Sequence, residues 1–118
     1  MPKEKMFCTK LKGSQRFLRL LGDSGKIKGL RCGLVTLKPQ ELIGEHKTEN
    51  KEEVLIILKG KATVYYGRNR TLKACQNTFV FIPAETVHNV KNSGNKRLQY
   101  FYVTARLDFP LDKGYLKR

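Results

Sequence analysis

Short apolar stretches that never lengthen into a helix-sized run constrain this chain most. Val54-Leu55-Ile56-Ile57-Leu58 and Ala62-Thr63-Val64-Tyr65-Tyr66 flank Lys59-Gly60-Lys61. β-Branched and aromatic residues on both sides of a glycine predict a hairpin, with Gly60 at positive φ. The pattern recurs in "RFLRLL" (16–21), "GLRCGLVTLKP" (29–39), "TLKA" (71–74), "TFVFIP" (78–83), "VHNV" (87–90) and "LQYFYVTA" (98–105). Turn text such as "GDSG", "GRNR" and "NSGNK" lies between them. No long amphipathic helix is present, and many short strands at close spacing predict an all-β sandwich or barrel.

At 118 residues the chain is long enough for one domain over residues 1–118, which would bury roughly two thirds of its unfolded surface. With 40% hydrophobic and 29% charged residues it reads as globular. The aliphatic run 54–58 is too short to span a bilayer, and the start "MPKEKMFCTK" lacks a signal-peptide core. Cys8, Cys32 and Cys75 are an odd set without zinc-ribbon spacing. A cytoplasmic location is expected, with Cys32 and Cys75 as buried small apolar residues.

A net charge of +14 invites a nucleic-acid reading. The basic residues are scattered from Lys3 to Lys117 without a compact run, and no aromatic platform shows a recognisable spacing. Scatter points to a solvated surface that steers an anionic small molecule toward the protein, not to nucleic acid.

The only two histidines, His46 and His88, each stand at a strand after a turn. Strand side chains alternate, so in a small barrel His46 and Thr48 face one side while Lys47 faces the other. His88 and Glu53 can point into the same interior. Two imidazoles and a carboxylate are the donors a divalent transition metal takes. The blander alternative is a hydrogen-bonded histidine pair and a solvated Glu52-Glu53 strand start.

His46, Glu53 and Gly60 match the motif G-x5-H-x-H-x(3,4)-E-x6-G, while Pro83, His88 and Asn92 match G-x5-P-x-G-x2-H-x3-N. These are the two motifs of the cupin superfamily, which the sequence resembles over about residues 30–104, leaving N- and C-terminal extensions. The resemblance implies a double-stranded β-helix (jelly-roll) barrel, usually dimeric, holding iron, manganese, nickel, zinc or copper. Carried over by position, the ligands are His46, Glu53 and His88.

The sequence departs from the motifs at four places. Thr48 replaces the second histidine, a poor ligand whose expected task is to orient a water or substrate oxygen. Gln40 or a neighbour stands near the opening glycine of the first motif, and Asn77 and Glu85 replace glycines of the second. Asparagine tolerates positive φ, whereas glutamate does not, so the turn at Glu85 is expected to be rebuilt as a type I turn on Pro83. Gly60, Pro83 and Asn92 have structural tasks, Asn92 tying a turn through its side chain.

The implied function is a small metal-binding cupin, an oxygenase or an isomerase or lyase acting on or binding a small molecule, and forming a homodimer. The alternative is a non-catalytic small-molecule-binding cupin without metal.

Overall fold

The computed structural model describes residues 6–22 and 29–107. Most of the expected "GDSG" turn, the first five residues and nearly all of the C-terminal extension "LDFPLDKGYLKR" lie outside them. Among the described residues nine strands are formed: β1 (Phe17–Leu21), β2 (Leu30–Leu37), β3 (His46–Lys47), β4 (Lys51–Lys59), β5 (Lys61–Tyr66), β6 (Arg70–Cys75), β7 (Thr78–Ile82), β8 (Val87–Asn92) and β9 (Leu98–Arg106). They build two antiparallel sheets, ordered β1-β2-β9-β4-β7 and β3-β8-β5-β6, the all-β jelly-roll arrangement expected.

The period of two in the sequence becomes the wall of the barrel. Along β4, Glu53, Leu55 and Ile57 are buried while Glu52 and Ile56 are exposed, and along β8 the buried set is His88, Val90 and Asn92. Val35, Leu37, Leu55, Ile57, Val64, Val90, Leu98 and Tyr100 meet between the sheets as one core. Burial of each large side chain contributes about 1.5–3 kcal/mol.

The expected hairpin at Gly60 is not formed. Both edges of β4 are occupied, by β7 and by β9, so the chain must leave that sheet, and β5 pairs with β6 and β8 instead. Gly60 makes the crossing. Its φ is 89°, and a Cβ there would stand 2.8 Å from the Arg97 carbonyl oxygen and 3.0 Å from Leu98 Cα. Glycine is needed for both reasons.

The three substituted motif glycines keep a glycine-like backbone, with φ of 70° at Gln40, 66° at Asn77 and 59° at Glu85. The expected type I turn is therefore absent at Glu85. Its N–H donates to the Glu49 carbonyl at 2.9 Å, and its carboxylate lies 3.1 Å from Lys47 Nζ. Asn77 donates its N–H to Ile57 O at 2.8 Å as the chain passes from β6 to β7.

Asn92 is wholly buried. Its Nδ2 donates to Leu37 O and Lys96 O, and its Oδ1 accepts from the Gly94 N–H. Its backbone carbonyl accepts from the Gln40 N–H at 2.8 Å, joining the first position of one motif to the last of the other. Cys32 is buried as expected, but Cys75 is exposed, because it falls on the outward parity of β6, where Ala74 takes the buried position.

Candidate metal centre

The two sheets deliver the polar trio from opposite sides. β3 pairs antiparallel with β8 so that His46 stands directly opposite His88. Glu53 comes from β4 in the other sheet, at an inward position that alternation assigns to the core. The donor atoms of the three residues lie within 4.8 Å of one another. Their side chains are 53%, 8% and 1% exposed for His46, Glu53 and His88, which places His46 at the rim and His88 at the base.

Hydrogen bonding fixes how the imidazoles face. His88 Nδ1 lies 3.1 Å from Thr86 O, and His46 Nδ1 lies 3.4 Å from Gly44 O. A carbonyl only accepts, so each Nδ1 carries a proton and each neutral ring presents a bare Nε2. Glu53 Oε1 stands 3.1 Å from His88 Nε2 and 4.0 Å from His46 Nε2. A lone pair and a carboxylate oxygen this close require a cation between them, either a proton on His88 or a metal ion.

The set fits a divalent metal. Donors about 2.1 Å from one ion lie about 3.0–3.4 Å apart at octahedral or tetrahedral angles, which the Glu53 to His88 separation matches. Half-exposed His46 has the rotamer freedom to close the remainder. Burial of His88 works to lower its pKa, but the hydrogen bonds to Glu53 and Thr86 O and the charge of Glu53 outweigh it, and the net direction is upward.

Thr48 is buried beside the trio, and its hydroxyl donates to Pro83 O at 2.8 Å while accepting from the Thr86 N–H at 2.9 Å. The Thr48 N–H donates to Thr86 O at 3.1 Å. The carbonyl that orients His88 is thus held by Thr48, a support of the kind that sets ligand geometry. Thr48 also lines the cavity beside the trio.

That cavity measures about 290 Å³ and is lined by His46 and Thr48 and, from the larger sheet, by Glu53, Phe17, Tyr100 and Tyr102. Burial drives the Tyr100 hydroxyl far above its usual pKa, with Glu53 adding to the effect. Arg19, Arg31, Lys47 and Lys51 also line it, against Glu53 as the acidic lining residue. Arg19 and Arg31 were not singled out in the sequence, although the inward parity of Val35 and Leu37, extended back along β2, reaches Arg31.

The cupin domain family matches residues 33–104. Mannose-1-phosphate guanylyltransferase RfbM of Salmonella typhimurium is 36% identical over 83 residues, covering 70% of this chain and 17% of that enzyme. Among solved structures, an RmlC-like cupin with a double-stranded β-helix fold from Methanocaldococcus jannaschii superposes with a TM-score of 0.72 at 20% identity, covering 87% of this chain and 91% of the other. A predicted oxalate decarboxylase from Thermotoga maritima gives 0.70 at 23% identity, covering 77% and 79%. Both structural likenesses concern the fold. With more than half its length matched to that family and its strands in that architecture, the chain belongs to the cupins.

Proposed function

We propose that this protein holds a divalent transition metal on His46, Glu53 and His88 and binds or transforms a small anionic molecule in the cavity beside it. The convergence of two Nε2 atoms on one Glu53 oxygen carries this reading. Iron, manganese, nickel or zinc all suit imidazole and carboxylate donors. Three protein ligands leave positions for an outside oxygen, where the metal would polarise a carbonyl or, as iron, accept oxygen in an oxygenase. Thr48, a lining residue of the cavity, would orient a water or substrate oxygen there, and the cationic lining favours an anion. The name of the Salmonella relative concerns a phosphorylated sugar, which is consistent with an anionic ligand.

A second reading has its own observation. The raised pKa of His88 suits a protonated imidazole paired with Glu53, giving a small-molecule-binding barrel without metal and without turnover. Reconstitution with iron(II), manganese, nickel and zinc separates the two. About one ion per chain in the wild type, lost in His88→Ala, supports the metal site; equal content in both proteins overturns it.

The outer face of the larger sheet supports a homodimer. Ile56, Phe79 and Phe81 are exposed there, with Phe81 opposite Val54 and Phe79 opposite Ile56 across β7 and β4, and a second copy would cover them. Three free thiols suit a reducing, cytoplasmic setting. Among the described residues no helix is long and apolar enough to cross a membrane.

A further inference from the structure

Two cations of the cavity, Arg19 and Arg31, are ordered by strand register along the sheet that also carries Glu53. Arg31 on β2 is the cross-strand partner of Thr104 on β9, and Thr104 is the partner of Glu53 on β4. All three line the cavity. Neighbouring strands lie about 4.8 Å apart, so the Arg31 backbone stands about 10 Å from that of Glu53.

The next row holds Arg19 on β1, Gly33 on β2, Tyr102 on β9 and Leu55 on β4. Gly33 leaves this row open. A Cβ there would meet the Tyr102 ring at 2.8 Å and the Leu18 carbonyl oxygen at 2.5 Å, so the Tyr102 ring occupies the space over Gly33. Tyr102 hydrogen-bonds Arg19 and packs on Phe17 with ring centroids 5.4 Å apart. The Arg19 guanidinium lies 5.7 Å above the Phe17 ring, and such a platform orients a guanidinium without neutralising its charge.

The two remaining lining cations are differently placed. Lys47 is paired with Glu85, and Lys51 stands on the same strand as Glu53. Arg19 and Arg31 lie three and two strands from Glu53 in the larger sheet, whereas His46 and His88 belong to the smaller one. A planar guanidinium is the donor best shaped for carboxylate or phosphate oxygens.

We propose that Arg19 and Arg31 form an anion subsite in the cavity, along the larger sheet from Glu53, with Tyr102 positioning Arg19. The ligand is then two-ended: an oxygen function that reaches the metal, and a carboxylate or phosphate that reaches the arginines. The metal end rests on the function proposed above; the anion end rests on Arg19 and Arg31 alone.

Three α-hydroxy acids test this on manganese-loaded protein by calorimetric titration. Lactate offers the chelating end only, malate adds a second carboxylate, and 3-phosphoglycerate adds a phosphate. Malate or 3-phosphoglycerate is expected to bind about tenfold or more tightly than lactate, as one charge-assisted hydrogen bond or more would give. Which of the two binds more tightly identifies the anion. Arg19→Gln and Arg31→Gln are expected to cut that advantage to about threefold or less while leaving manganese binding unchanged and weakening lactate less than the two-ended acids. Arg19→Lys, which keeps the charge and loses the fork, is expected to fall between; it also serves if Arg31→Gln does not fold.

Equal affinity for all three acids, or an advantage that survives both arginine substitutions, overturns the subsite. Failure to hold manganese sinks the metal reading instead, and inorganic phosphate then decides the subsite on metal-free protein. Binding that is lost in Arg19→Gln and Arg31→Gln supports it, and binding that is absent or unchanged overturns it.

Discussion

His46 and His88 are direct cross-strand partners, their rings 4.2 Å apart between centroids and inclined at 63°. The strand that brings His46 there is two residues long, too short to be held firmly by its own ladder. Both imidazoles belong to the smaller sheet and Glu53 to the larger, so an ion bound by all three ties the sheets together at the mouth of the barrel.

Metal is accordingly expected to stabilise the fold. At a free concentration about 100 times Kd the gain is about 2.7 kcal/mol, read as a rise in Tm of several degrees. Chelator should reverse it, and Glu53→Gln, which keeps the shape and removes the charge, should show no rise.

The metal-free protein has the opposite pH behaviour to the loaded one. His88 has a folded pKa raised above its unfolded value of about 6.5, so its pairing with Glu53 contributes fully below that value and is lost as pH rises through the folded pKa. Metal competes with that proton, so metal-dependent stability grows over the same interval. Urea midpoints compared between wild type and Glu53→Gln should show the metal-free difference shrinking with rising pH. The manganese-loaded difference should widen.

Thr48→Val removes an acceptor from the Thr86 N–H and a donor from Pro83 O at constant volume. The expected cost is about 1–3 kcal/mol, with a loss of metal affinity of about tenfold because the carbonyl orienting His88 loses its support. Thr48→Ser should retain most of both, as checked by chemical denaturation and metal titration.

Glu85 holds φ at 59° where the motif carries glycine. Glu85→Gly and Glu85→Ala both lose the exposed ion pair with Lys47, but only glycine relieves the backbone. Glu85→Gly should be more stable than Glu85→Ala by about 1 kcal/mol, measured by urea denaturation.

Much of this is legible in the sequence. Alternation alone located the strands and put Glu53 on an inward position, because period two survives wherever one face is buried. Motif spacing then brought His46 and His88 together. Pairing was the harder property: the text around Gly60 is that of a hairpin, and only the occupation of both edges of β4 by β7 and β9 shows that it is a crossing between sheets. The turn at Glu85 was misread for a related reason. Local preference disfavours positive φ for glutamate, and tertiary ties through Glu49 O and Lys47 override it. Arg19 and Arg31 escaped notice because an arginine on an edge or second strand looks solvated until the register shows what its row faces.

Pulsed electron paramagnetic resonance of manganese-loaded protein tests the three-ligand site most directly, since coupling to coordinated imidazole nitrogen reports each histidine. Two such nitrogens are expected in the wild type and one in His46→Gln. Absence of nitrogen coupling in manganese-loaded wild type, or an unchanged spectrum in His46→Gln, would contradict a metal held by His46, Glu53 and His88.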